Sequence, residues 1–511
     1  MIRRPSWIAL IALILGPLAG MYVAQNPVLA AAVIGAVGVL AFGAAIPGVL
    51  SRLFILALGI VLTGYAFFGR AFAYIGIPPI FIGELLLGLG LASALVDKRL
   101  AAAFRSRISW LLLGFALWGA ARTMPYLSTH GMDALRDGVL WGYGAFALIV
   151  AVHLAGRTWV ESVIRRYARL MLLMLLWIPP GLMVSRILGD VLPLGPNGVP
   201  LELVKAGDAG VHLGGIAAFL LLGFHHRRVA RPDARFSGMD WVLWIAWLLA
   251  FAFVAAVNRG GMLSALLALG TVVMLRPRET GWKVGLACMA AIVLAVGVFV
   301  SDLSLNLGHS RNVSVQQIAD NFGSVTQEAG QHELDGTREW RLSWWTHIVD
   351  YTFYGPYFWT GKGYGINLAD DDGFQLHHQS LRSPHNGHLT VLARSGVPGF
   401  ALWVLLQATF SASLLVGYWR ARRVGQDTWG RLHLWILAYW VACLVDTSFD
   451  VYLEGPQGGI WFWTIVGVGI TMLSADMPGR FRSRRQGRSG PALMAPDSPT
   501  SGSATAAAGV S

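Results

Sequence analysis

Residues 383–399 read SPHNGHLTVLARSGVPG, and residues 401–417 read ALWVLLQATFSASLLVG. The first stretch is polar and holds His385 and Asn386. The second carries no charge, and an uninterrupted apolar run of this kind reads as a membrane helix. The join therefore reads as a loop that dives into a bilayer. Similar runs recur along nearly the whole chain, at 7–24, 28–50, 52–69, 79–96, 108–124, 138–155, 170–187, 211–224, 239–257, 261–275, 283–300, 396–418, 432–447 and 460–475. The expected fold class is an all-α polytopic membrane protein with about 12–14 transmembrane helices. Composition agrees: of 511 residues 55% are hydrophobic and 13% charged, where soluble domains carry about 25% charged residues. The N-terminal run after Arg3 and Arg4 reads as a first membrane helix and not a cleaved signal, because more spans follow and no cleavage site stands out.

The net charge of +12 follows orientation. With a cytoplasmic N-terminus, 27 of the 39 Lys and Arg fall in clusters on the cytoplasmic side, as the positive-inside rule expects. The basic balance then describes topology and contact with anionic lipid heads, with no need of a nucleic-acid partner. Cys288 and Cys443 both lie in apolar runs, so no disulfide framework or thiolate metal site is expected.

One connection is long. Residues 301–387 hold ten Asp and Glu, five Lys and Arg, and six of the 13 His. The charge map puts this loop on the external, periplasmic side. Its aromatic residues argue that it folds. TREWRLSWWTHIVDYTF (337–353) reads as an amphipathic helix with Asp335 as N-cap, and PYFWTGKGYGIN (356–367) as a Gly-rich turn. The expected organisation is N-terminal membrane helices over 1–238, a core over 239–418 that includes the loop, C-terminal helices over 419–479, and a disordered cytoplasmic tail over 480–511.

Few residues are placed to carry chemistry. Asn258-Arg259-Gly260-Gly261 joins two apolar runs at an external mouth. Arg259 is either a snorkelling interfacial residue or a bidentate ligand for phosphate, with the glycines letting backbone approach it. Arg338 and Arg341 share a helical face at i and i+3; they either pair with Asp335 or Glu339 or supply further cations. His385 is either an ordinary loop histidine or a base for a sugar hydroxyl, with Asn386 helping to orient it. Gly396 and Gly399 suit close helix packing, and Pro398 suits a first helical turn. His377 and His378 beside Asp370, Asp371 and Asp372 have no distinctive metal spacing and read as a solvated acidic loop. Glu84, inside IFIGELLLG, is an intramembrane carboxylate with either a functional or an interfacial role. No phosphate-binding G-x-x-x-x-G-K-[ST] loop is present.

His385-Asn386, nine residues, Gly396, two residues and Gly399 resemble the signature of bacterial O-antigen ligases. The NRGG turn and the stretch from GTREWRLSWW to GKGYG are similar to that family and to the related O-antigen and exopolysaccharide polymerases. The likeness covers roughly residues 239–418. It implies a membrane C-type glycosyltransferase, metal-independent and without a cofactor, in the bacterial inner membrane. The implied donor is an undecaprenyl-diphosphate-linked glycan at the periplasmic face, and the acceptor lipid A-core or a growing glycan. By the resemblance His385 is catalytic, and Arg259, Arg338 and Arg341 are the candidates to hold the diphosphate. A transporter or a scaffold protein is the competing class. Transporters place ionisable residues at midplane and show internal repeats, and neither is visible here.

Overall fold

A computed structural model describes residues 48–77, 80–96, 103–155, 159–188, 202–226, 237–283, 332–375 and 381–474, apart from position 338 and its six predecessors, where it describes backbone alone; a few isolated positions are described besides. They are almost wholly helical. The strands among them are two-residue pairs, Gly76–Ile77 with Ile80–Phe81 and Leu305–Asn306 with Asn312–Val313, both antiparallel. The main helices are α1 (Val49–Ala73), α2 (Ile82–Val96), α3 (Arg107–Thr123), α4 (Met132–Gly142), α5 (Gly144–Leu154), α6 (Val160–Ile187), α7 (Ala206–Leu221), α8 (Gly238–Val257), α9 (Arg259–Leu275), α10 (His332–Phe353), α11 (Gly387–Arg423), α12 (Asp427–Thr447) and α13 (Pro456–Ser474).

The protein is an all-α polytopic membrane protein. Among the described residues four helices are long and apolar enough to cross a bilayer, namely α1, α6, α8 and α11; the pair α4 and α5, bent by 45°, makes a fifth if counted as one span. α2, α7 and α9 are apolar but shorter. The expected runs at 7–24 and, but for its edges, 28–50 and 283–300 lie outside the described residues, as does the expected tail from 480.

α7 is the centre. It is buried at every position except Asp208, as a helix apolar on all sides must be. α9 and α12 pack directly on it. The approach to α9 depends on missing side chains: a Cβ on Gly210 would stand 2.3 Å from the Gly261 Cα, and one on Gly261 would stand 2.7 Å from the Ala206 carbonyl oxygen. Gly210 and Gly261 thus admit a neighbouring helix at close range. Their effect is to set the start of α7 against the start of α9.

Local signals explain the helix ends. Ser237 and Asp240 form a reciprocal capping box on α8. Asn258 caps α9, accepting from the Gly261 N–H at 2.7 Å. α10 begins at His332, so Asp335 lies inside it and not at its cap. The helix packs Trp344, Ile348 and Tyr351 with Leu368, Ala369, Leu392 and Ala393. Side chains four and three apart share a face, and each burial is worth about 1.5–3 kcal/mol.

α11 starts nine residues before the expected 396 and is broken at Gly396, which has φ 67°. A Cβ there would meet the Phe358 oxygen at 2.6 Å and the Gly361 nitrogen at 2.8 Å. Gly396 therefore serves loop approach, whereas Gly399 packs closely on the Trp118 indole of α3. Pro398 starts the second half of the broken helix, where its missing N–H costs least.

Candidate functional site

His385 stands one residue before the cap of α11. Its φ is 51°, and it is the one non-glycine residue among those described with a positive φ. This conformation costs a non-glycine residue on the order of 1–3 kcal/mol and persists only where the surroundings enforce it. They do so on both sides. Asn386, buried, accepts from the His388 and Leu389 N–H groups at 3.1 Å each and fixes the helix start. The Trp345 indole donates to the Pro384 carbonyl at 2.9 Å. Arg382 bonds Asp137 at 3.1 Å and the Gly365 carbonyl at 3.2 Å.

The His385 ring faces a carboxylate from far along the chain. Its Nδ1 is 3.8 Å from Asp450 Oδ1, and its side chain keeps 28% exposure. The other oxygen of Asp450 takes the Lys205 ammonium at 2.6 Å. Lys205 immediately precedes α7, and Asp450 follows α12. The close packing of α7, α9 and α12 brings these segments together. Burial works against charge on Asp450, but Lys205, the nearby His385 ring and the hydrogen bond from the Val451 N–H hold its carboxyl well below the usual range. Burial likewise works against Lys205, but Asp450, Asp208 and Asp446 hold its ammonium well above the usual range. Both groups are therefore charged near neutrality.

Two arginines border this pair. Arg341, on α10, donates from Nη1 to the Phe449 carbonyl at 3.2 Å. Burial lowers its pKa, and attraction to Asp450 partly restores it. Its Nε has no hydrogen-bond partner among the described residues. Arg259 opens α9, half-buried. The next residue, Gly260, lies against the same segment, since a Cβ there would meet the Phe449 Cβ at 3.1 Å and Asp446 Oδ1 at 3.6 Å. The structure thus brings His385, Arg341 and the Arg259 turn around residues 446–450. Arg338 belongs to α10 by its backbone, and its side chain lies outside the described residues.

Lys205, Asp208, Asp446 and Asp450 were not singled out by the sequence reading. The available signal was DTSFD at 446–450, two carboxylates between apolar runs, on the same side as the large loop. Asp446 is 1% exposed, and its Oδ2 and the Asp208 Oδ1 have no hydrogen-bond partner among the described residues. The site is thus rich in both signs of charge, with polar capacity left over.

Other candidates resolve into structure. His388 is three residues from His385 but committed: it accepts from the Trp403 indole at 3.1 Å and donates to the Leu444 carbonyl at 3.2 Å. Glu84 accepts from the Tyr143 hydroxyl at 2.6 Å and the Phe81 N–H at 3.0 Å, an anchoring role. Asp371 and Asp372 hold Lys362, so the acidic stretch is an ion-pair site rather than merely solvated. His377 and His378 lie outside the described residues.

Residues 244–404 match the family model for O-antigen ligase. No curated protein matches the chain. The likeness of the chain to the O-antigen ligase superfamily rests on this domain. The matched region contains Arg259, Arg341 and His385; Lys205, Asp446 and Asp450 lie outside it.

Proposed function

We propose that the protein transfers a glycan from undecaprenyl diphosphate to an acceptor hydroxyl at the periplasmic face of the bacterial inner membrane, in the manner of an O-antigen ligase. The observation that carries this reading is the meeting of His385, Asp450, Arg341 and the turn that carries Arg259 at one place. The acceptor oxygen attacks the anomeric carbon of the donor sugar. Its proton passes to a neutral His385, and the bond from that carbon to the phosphate oxygen breaks. Undecaprenyl diphosphate leaves with the bonding electron pair. Asp450, close to Nδ1, turns the ring so that Nε2 is the basic nitrogen and favours the imidazolium that forms, the role a carboxylate plays behind a catalytic histidine. General-base help of this kind is worth about 10²–10⁴ in rate. Arg259 and Arg341 stabilise the charge that develops on the diphosphate, and Arg338 lies one turn earlier on the same helix as Arg341. Lys205 keeps Asp450 ionised. No metal or cofactor enters this reading, and the energy comes from the donor's own phosphate linkage.

The test is transfer by the full chain in liposomes, with undecaprenyl-diphosphate-linked glycan as donor and lipid A-core as acceptor. Wild type should yield glycan on lipid A-core, and His385→Ala should fall to background with normal membrane insertion. Activity unchanged in His385→Ala overturns the role of His385. Chain growth on the lipid carrier, with none on lipid A-core, identifies a polymerase of the same superfamily instead. A reporter fused near residue 350 should lie in the periplasm; a cytoplasmic signal removes the reading altogether.

A further inference from the structure

α7 and α8 meet again at the ends away from Lys205 and Arg259. The connection between them passes His225 and His226, and Asp240 lies in the first turn of α8. One ligating atom from each of the three side chains falls within 4.8 Å of the others. His226 Nε2 is 3.5 Å from Asp240 Oδ1, and His225 Nε2 contacts the same oxygen. The two rings pack with centroids 4.0 Å apart. Asp240 is 3% exposed, and the side chains of His225 and His226 keep 8% and 28% exposure.

Hydrogen bonding accounts poorly for this convergence. The second oxygen of Asp240 already accepts the Ser237 N–H at 2.6 Å and the Ser237 hydroxyl at 2.9 Å. That leaves one oxygen to both rings. Two imidazolium ions stacked against each other would repel, with Lys283 near them as a further cation. The His225 ring is nearly buried against Asp240. Its buried Nδ1 has no hydrogen-bond partner among the described residues. Neutral imidazole nitrogens and an ionised carboxylate are what a borderline divalent cation requires. Two imidazoles and a carboxylate, with a fourth position open to water, form a zinc-type donor set. The Ser237 bonds to Asp240 are the outer-shell support that ligating carboxylates receive.

We propose that His225, His226 and Asp240 bind one divalent cation of the zinc class and so tie the end of α7 to the start of α8. The site stands apart from the glycan-transfer reading and survives its failure. The experiment uses the full chain in detergent, its affinity tag removed, stripped with chelator and titrated with Zn²⁺. Wild type should take about one equivalent and melt at a higher temperature with zinc than without. His226→Ala, which leaves the His225–Asp240 and Ser237 contacts in place, should weaken binding at least about tenfold and lose the melting shift. The double variant His377→Ala/His378→Ala should titrate as wild type. Absence of zinc binding by wild type overturns the proposal. So does a His226→Ala variant that titrates as wild type, or a His377→Ala/His378→Ala variant that loses the zinc.

Discussion

Lys362 and Lys205 each meet carboxylates at a sheltered position, yet their surroundings differ. Lys362 holds Asp371 and, at 2.5 Å, Asp372. Its ammonium also lies 4.5 Å from the Tyr351 ring centroid and 5.6 Å from that of Tyr357. Asp372 accepts the Trp344 indole N–H at 2.6 Å on its other oxygen. All these residues come from one segment, and the cluster is closed but for the Tyr351 hydroxyl, which has no hydrogen-bond partner among the described residues. Lys205 and Asp450 come from segments more than 200 residues apart (the helices before and after them supply the contact). Around them Asp208, Asp446 and Arg341 each keep a buried polar atom with no hydrogen-bond partner among the described residues. Leaving such atoms unmet costs about 1–3 kcal/mol each. A fold keeps such costs where a ligand or a moving proton repays them. One cluster fastens the loop, and the other holds capacity for chemistry.

The sharpest way to break this contrast is at the arginine beside the open cluster. Arg259→Ala should lower transfer by about 10²–10³, the scale for losing one donor to a developing oxyanion. Arg259→Lys should remain strongly impaired, because an ammonium lacks the planar fork that grips a diphosphate. Initial rates in liposomes measure both, and full rescue by lysine removes bidentate binding from the account. Asp450→Asn comes next. The amide keeps the shape but not the charge that orients and supports a protonated His385. Transfer should fall by about 10², with protein yield and melting temperature much less affected. If the variant instead fails to insert while its folded fraction transfers normally, the open cluster is a fastener as well.

Helix positions were legible because apolar runs mark them directly: the expected 239–257 and 261–275 became Gly238–Val257 and Arg259–Leu275. The start of α11 was less so. Gly387, His388 and Thr390 look like loop, and their helical state depends on the Asn386 cap and on packing. Within the site, His385, Arg259 and Arg341 sit beside recognisable motifs. Lys205 and Asp450 do not, because their pairing arises only from the approach of α7 to α9 and α12. That approach rests on small residues such as Gly207 and Gly210, whose role is an absence of side chain. The strain at His385 is likewise invisible in sequence, since histidine carries no local preference that announces it.

The closed cluster gives the smallest expected effect on activity and a clear one on stability. Lys362→Met keeps the stem against Tyr351 but removes the charge, leaving the fully buried Asp372 facing no cation. Breaking a buried pair in this way costs about 3 kcal/mol, read as a fall in melting temperature, while transfer per folded molecule should stay within a few-fold of wild type. The pH dependence has a definite sign. Burial works against the Lys362 charge, but the hydrogen bonds it donates to Asp371 and Asp372 hold its pKa above the usual lysine value. A group raised on folding contributes fully below its unfolded value, about 10.4, and loses that contribution as pH rises through its folded value. The melting gap between wild type and Lys362→Met should thus be constant from pH 7 to about 10 and narrow above that. A variant that melts as wild type but loses transfer would place Lys362 with the open cluster, and the distinction between the two lysines would fail.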